Sequence, residues 1–342
     1  MSKSHLVPLG RTSRKRSRKH LLQAGRKPRR LMLEPLETRT LLAASLPAGW
    51  QATPIADPHF LSGFDSSASL PPAGLTSNQI LSSFDYSGSS SPSGLTPNQI
   101  RGAYGLGTYS AGSGSLSNGN YVPGSLQNGI SFGGINGDGR GQTIAIVDDY
   151  DDPNALGDLN AFSAYYGLPT LSNAGSSPSF QQLTEYGQPV SRDTTSANYV
   201  PKDPSGPWYA TGNTDWELEE SLDIEWAHVT APMANIILFE ASDPGDGLVT
   251  AVQTAAQTSG VVAISMSWGG NEFSGESSDD STYFTTPSDH IGGSATIGGT
   301  DLAGGVTFLA AAGDYGPYLP SGYIEATYPA ASPAIGTRRL AG

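Results

Sequence analysis

Glu219 and Asp223 stand four residues apart in Trp216-Glu217-Leu218-Glu219-Glu220-Ser221-Leu222-Asp223-Ile224-Glu225. On a helix that spacing puts both carboxylates on one face, beside a Leu218, Leu222 and Trp226 stripe expected to dock on the fold. Like charges so placed destabilise a helix by about 0.2–0.5 kcal/mol, and by more when partly desolvated. A function can offset that cost. Two carboxylates near an apolar surface share a proton, so that one becomes a usable base while the other orients it. A solvated acidic face is the alternative reading. Acids in a first turn are expected against the helix dipole, which accounts for Asp215, Glu217 and Glu220 more readily than for Glu219 and Asp223. Thr214-Asp215-Trp216-Glu217 fits a capping box that starts the helix. His228 stands nine residues from Glu219, nearly opposite it, and reads as a surface or packing residue.

The elements that must position these groups alternate between strand and helix from Gly141 onward, which argues for an α/β domain with a mainly parallel sheet. Residues 143–147 form a short apolar run ending in Asp148 and Asp149, as a buried parallel strand ends at a functional edge. Asp152 then suits an N-cap with Pro153 at the first helical position. Ala155, Leu159, Phe162 and Tyr166 follow at helical spacing, and Gly167 closes the helix. Further strands are predicted at 235–239, 261–265 and 306–311, with a helix over 249–258. Sites in open parallel sheets gather at the carboxyl ends of strands. Three such ends carry polar residues: Asp148, Ser267-Trp268-Gly269-Gly270 and Gly313-Asp314.

Charge divides the chain. Of its 18 Lys and Arg, 12 fall in the first 42 residues, and the rest holds six bases against 29 acids. A body that acidic repels phosphates and anionic membrane surfaces, which argues against nucleic acid as a partner. With no cysteine, disulfides, thiolate nucleophiles and Cys-ligated metals are excluded. No apolar run approaches the roughly 18 residues of a membrane span. The basic segment 1–43 includes Leu33-Glu34-Pro35-Leu36-Glu37-Thr38-Arg39-Thr40-Leu41-Leu42. It resembles a Leu-Glu-Pro-Leu-Glu-x-Arg-x-Leu-Leu motif carried by exported bacterial proteins, which implies secretion or display at the cell surface; a nucleic-acid-binding tail is the alternative. Residues 44–140 are rich in Gly, Ser, Asn and Pro and read as a linker or loosely ordered arm. The heptapeptide Gly74-Leu75-Thr76-Ser77-Asn78-Gln79-Ile80 returns as Gly94-Leu95-Thr96-Pro97-Asn98-Gln99-Ile100, a local duplication too short for a solenoid.

Five blocks in order carry a further resemblance: Asp148; Glu219 to Glu225; Ser265-Met266-Ser267-Trp268-Gly269-Gly270; Ala310-Ala311-Ala312-Gly313-Asp314; and Tyr328-Pro329-Ala330-Ala331-Ser332-Pro333. Together they resemble the sedolisin family of serine-carboxyl peptidases. The likeness implies a subtilisin-like fold over 141–333, polypeptide substrates, secretion and activity in acid. It places the general base on Glu219, the residue that orients it on Asp223, and a protonated oxyanion donor on Asp314. Asp148 matches an acidic residue behind the dyad, and Ser267, Trp268, Gly269 and Gly270 match a segment lining the substrate cleft. A Ser-His-Asp peptidase on the same fold needs a base in a His-Gly context, and none of the five histidines has one.

The sequence departs from this pattern in four places. The family's nucleophile lies in a Gly-Thr-Ser segment downstream of the last block, and no Gly-Thr-Ser occurs here. Gly299-Thr300 is followed by Asp301, and Ser294 precedes Asp314, so each reads as a loop residue. Residues 334–342 form an atypical tail with Arg338 and Arg339, and the C-terminal portion of the fold is expected to be missing. The family's calcium site would lie in that portion, so neither metal nor cofactor is expected in this chain. Residues 271–304 read as a Gly-, Ser- and Thr-rich insertion, and no large prodomain is expected. Two expectations result: an acid-acting serine endopeptidase whose present chain is inactive for want of its serine, or a non-catalytic surface or binding protein on a peptidase-like scaffold.

Overall fold

A computed structural model describes residues 46–54, 95–114, 121–132, 134–173, 178–204, 216–292, 304–313 and 326–336. The basic segment 1–43, the first heptapeptide copy, Thr214 and Asp215, Ser294, Thr300, Asp301, Asp314 and residues 337–342 lie outside them. In chain order the elements are β1 (Thr53–Pro54), α1 (Pro97–Ala103), β2 (Thr108–Tyr109), β3 (Leu126–Gln127), β4 (Ser131–Phe132) and β5 (Ile135–Asn136). There follow β6 (Thr143–Asp149), α2 (Ala155–Tyr166), β7 (Phe180–Thr184), α3 (Trp216–Thr230), β8 (Asn235–Ala241) and α4 (Asp246–Gln257). The last are β9 (Val261–Met266), β10 (Trp268–Asn271), α5 (Glu276–Tyr283), β11 (Thr307–Ala310) and β12 (Thr327–Tyr328).

The central sheet has five parallel strands in the order β11-β9-β6-β8-β7. Helices cover it on both faces, the α/β arrangement expected of a subtilisin-like scaffold. Strand alternation sorts the side chains. Ala145 and Val147 of β6 and Ile237 and Phe239 of β8 pack with Leu248, Val252 and Ala255 of α4. Ile144 and Ile146, with Ile236, Leu238 and Phe180, pack on the other face with Ala155 and Leu159 of α2 and Ile224 of α3. The same period carries Asp148 and Glu240, each next to last in its strand, and Gln182, midway along β7, to the α2 and α3 face. A smaller antiparallel sheet, β1-β10-β12, begins directly beyond β9.

Several local expectations change. Strand β6 runs on through Asp148 and Asp149, because both pair with β8 opposite Glu240 and Ala241. Helix α4 begins at Asp246, three residues before the predicted start, and β7 was not predicted. Asp152 does not cap α2: its Oδ1 accepts from the Asn154 amide at 2.8 Å in a turn, and Asn154 occupies the cap position without a side-chain bond. Gly167 closes α2 as expected, at φ 77, with its backbone against Ser110, where a Cβ would lie 2.5 Å from the carbonyl oxygen. The docked stripe of α3 is also different. Trp216, Glu219, Glu220, Ile224 and His228 are buried, whereas Leu218, Leu222 and Trp226 are half-buried flanks.

Parts of the predicted arm and insertion carry regular structure. Thr96 and Gln99 close a capping box at the start of α1, with Pro97 at its first position. Arg101 of that helix is fully buried and donates to the carbonyls of Val229 and Thr230 at the end of α3 and of Leu106 and Gly107. A cation there meets the negative end of the helix dipole. Residues 46–54 pack on the small sheet, and α5 lies inside the 271–304 stretch.

Candidate active site

Three elements meet at the carboxyl end of the sheet. Helix α3 supplies Glu219, Glu220 and Asp223, β6 supplies Asp148, and the turn from β9 into β10 supplies Ser267 and Trp268. The first turn of α3 is held from outside the helix, where the Asp203 carboxylate accepts the Trp216 amide at 3.1 Å. Glu219 is buried and Asp148 fully so. Both Asp148 oxygens lack a hydrogen-bond partner among the described residues. Burial pushes the Asp148 carboxyl well above the usual carboxylate range, and the neighbouring Asp223 and Glu219 add to the shift.

Asp223 is half-buried as a residue, but its Oδ2 is shielded from solvent without a partner. Its Oδ1 accepts from the Ser267 hydroxyl at 2.6 Å, a short charge-assisted contact. Burial raises the Asp223 carboxyl to about 6, against the lowering effect of that hydroxyl. A carboxylate with such a value exchanges its proton near neutral to mildly acidic pH, which suits a general acid or base. The structure therefore brings Glu219, Asp223, Asp148 and Ser267 into one neighbourhood. Asp314 lies outside the described residues, beyond β11.

Trp268 is fully buried, and its indole N–H donates to the Val147 carbonyl at 2.8 Å, tying β10 to the end of β6. The indole is thus committed to the fold, and the β10 backbone pairs with β1 on one side and β12 on the other. Gly269 and Gly270 let other chain segments close on that backbone. A Cβ on Gly269 would stand 3.2 Å from Thr327 Cβ, and one on Gly270 2.8 Å from Trp50. His228 is a packing residue: it is fully buried, its Nε2 is 2.7 Å from the Pro169 carbonyl, and burial lowers its pKa to about 4.

Sequence reasoning passed over a second group beside the first. Glu220 and Glu240 are fully buried and Asp152 nearly so. Gln182 Nε2 donates to Glu240 Oε1 and to the Asp152 carbonyl, both at 2.7 Å. Both oxygens of Glu220 lack a hydrogen-bond partner among the described residues. The missed signal was the alternation Ile236-Leu238-Glu240, which carries an acid to the face its apolar neighbours occupy. Among the described residues no set of three or more His, Asp or Glu side chains is arranged to hold a metal ion, and none of their helices is long and apolar enough to cross a membrane.

The chain is similar to kumamolisin of Bacillus sp. (strain MN-32), with 32% identity over 215 residues, 60% of this chain and 32% of that protein. It thus spans about a third of the length of this curated relative. No family model matches the chain. The likeness supports a sedolisin-like relationship and a peptidase-like scaffold of a hydrolase family.

Proposed function

We propose that residues 141–333 carry the carboxylate half of an acid-acting serine-type endopeptidase. Glu219 takes the proton from an attacking serine, and Asp223 orients Glu219 and shares its charge. Asp314 supplies a protonated oxygen to the developing oxyanion. Asp148 lies behind the pair as a buried neighbour, and the backbone from Ser267 to Gly270 holds an extended polypeptide substrate. The observation that carries this reading is the convergence of Glu219, Asp223 and Asp148 below the sheet end, with Ser267 Oγ 2.6 Å from Asp223 Oδ1. The export-associated motif near the N-terminus supports action outside the cell.

The 342 residues contain no Gly-Thr-Ser segment, so the serine must come from outside them and this chain alone is expected to be inactive. The same fact favours a second reading, a surface or binding protein on a peptidase-like scaffold. Hydrolysis of a denatured protein at acid pH separates the two. The comparison is between this chain and a product read from its gene beyond residue 342. The peptidase reading expects activity only in the longer product, lost by at least about a hundredfold in Glu219→Gln and in Asp223→Asn. Activity that survives either substitution rules out the proposed mechanism. A longer product without activity supports the binding reading.

A further inference from the structure

The first half of α3 lies on a group of acids larger than the proposed chemistry needs. Asp148 of β6 and Glu240 of β8 stand directly opposite in the strand register, so their side chains share the face that α3 covers. Glu220 meets them from α3, and Gln182 of β7 closes the group with an amide donated to Glu240 Oε1 at 2.7 Å. Asp148, Glu220 and Glu240 are each fully buried. Both oxygens of Asp148, both of Glu220 and Oε2 of Glu240 are shielded from solvent, with no hydrogen-bond partner among the described residues.

The charges around this group do not neutralise it. Glu217, Glu219 and Asp223 face it from α3, Asp149 from the end of β6, Asp151 and Asp152 from the turn beyond, and Asp158 from α2. Two bases stand on this side: Arg192 pairs with Asp151 at 2.9 Å, and Lys202 acts on Asp151 and Glu217. Three ionised carboxylates so placed repel one another out of reach of water. Burial pushes all three carboxyls well above the usual range, so the packed arrangement is the protonated one. The two ends of α3 are held unequally. At its last turns Arg101 donates to the Val229 and Thr230 carbonyls and His228 Nε2 meets the Pro169 carbonyl, whereas the first turn has the Asp203 carboxylate on the Trp216 amide. We propose that Glu220, Glu240 and Asp148 form a proton-dependent seat for the first half of α3. While neutral they let the helix lie on β6 and β8; once ionised they loosen residues 216–224 from the sheet, and Glu219 and Asp223 with them. That the loosened pair is catalytic rests on the peptidase reading, but the seat itself does not.

Hydrogen exchange in the full 342-residue chain tests this, read as protection factors so that the intrinsic pH dependence of exchange cancels. From about pH 5 to about pH 8, protection of the Glu220 to Ile224 amides is expected to fall at least about tenfold, what one pH unit of lost protonation supplies. The Val229 and Thr230 amides, beside the pinned end, are expected to keep theirs. Glu220→Gln together with Glu240→Gln preserves size and leaves Gln182 an acceptor, but carries no charge. In that double variant the selective fall is expected to disappear. A fall that Val229 and Thr230 share equally, or one undiminished in the double variant, overturns the seat. If the double variant does not fold, carboxyl carbon NMR of the unaltered chain decides. Glu220 and Glu240 are both expected to titrate above the ordinary 4.5, and titration of either at that value overturns the seat. The peptidase reading fails separately, through hydrolysis that survives Glu219→Gln, whatever the exchange shows.

Discussion

Asp223 and Glu220 sit three residues apart on α3 and meet burial in different ways. Asp223 has a hydroxyl donor, and the Ser267 bond favours its charged form while burial opposes it. Glu220 has no hydrogen-bond donor among the described residues, and its carboxyl is pushed well above the usual range, by burial first and then by Glu240, Asp152 and Asp148. Such a group stabilises the fold only while protonated. Below its unfolded pKa the contribution is complete, and it is lost as pH rises toward the folded value. Holding the proton costs about 1.4 kcal/mol for each pH unit above the unfolded pKa. Glu220→Gln is therefore expected to be nearly neutral at pH 4 and to stabilise the fold at pH 7. Urea unfolding at the two pH values reads this directly, and an equal effect at both would mean that Glu220 holds no extra proton.

Elements deliver these residues through two periodicities, and both are visible in the sequence to different extents. The i, i+4 spacing of Glu219 and Asp223 and the apolar runs of β6, β8 and β9 are legible because each follows from local pattern. The buried face of α3 was misjudged because Leu218, Leu222 and Trp226 are apolar, while the acids on the neighbouring stripe are taken in by the strand ends they face. That outcome depends on tertiary pairing. The same holds for Asp203, which caps α3 from thirteen residues upstream, and for Arg101, whose partners at the end of α3 are 128 and 129 residues away. Replacing Arg101 by Met leaves the carbonyls of Val229 and Gly107, which are buried, and of Leu106, which is half-buried, without their donor, while exposed Thr230 can turn to water. Such losses cost about 1–3 kcal/mol each where water cannot substitute, so Arg101→Met is expected to lower unfolding free energy by about 3 kcal/mol or more. A loss below about 1 kcal/mol in denaturant unfolding would mean that α1 is not needed to hold the end of α3.

At the level of the whole molecule the buried acids set a direction for stability against pH. Burial raises Asp149 to about 8, Asp152 to about 7 and Asp158 to about 6. Each raised carboxyl contributes fully below about pH 4 and loses its contribution as pH climbs through its folded value. The unfolding midpoint in urea is therefore expected to be highest near pH 4 and to fall between about pH 5 and 8. A midpoint that is flat or rises over that interval would show that these carboxyls are not buried as protonated groups. The formal net charge of −13 was visible at once. The concentration of acids at one end of the sheet was not, because it needs the strand order. The account depends most on Asp223 being a buried carboxyl poised beside Glu219, and carboxyl carbon NMR on the 342-residue chain tests that without a nucleophile. Asp223 is expected to titrate at about 6, and higher still in Ser267→Ala, where the hydroxyl that favours its charged form is gone. Titration of Asp223 near the ordinary 3.8, unmoved by Ser267→Ala, would contradict it.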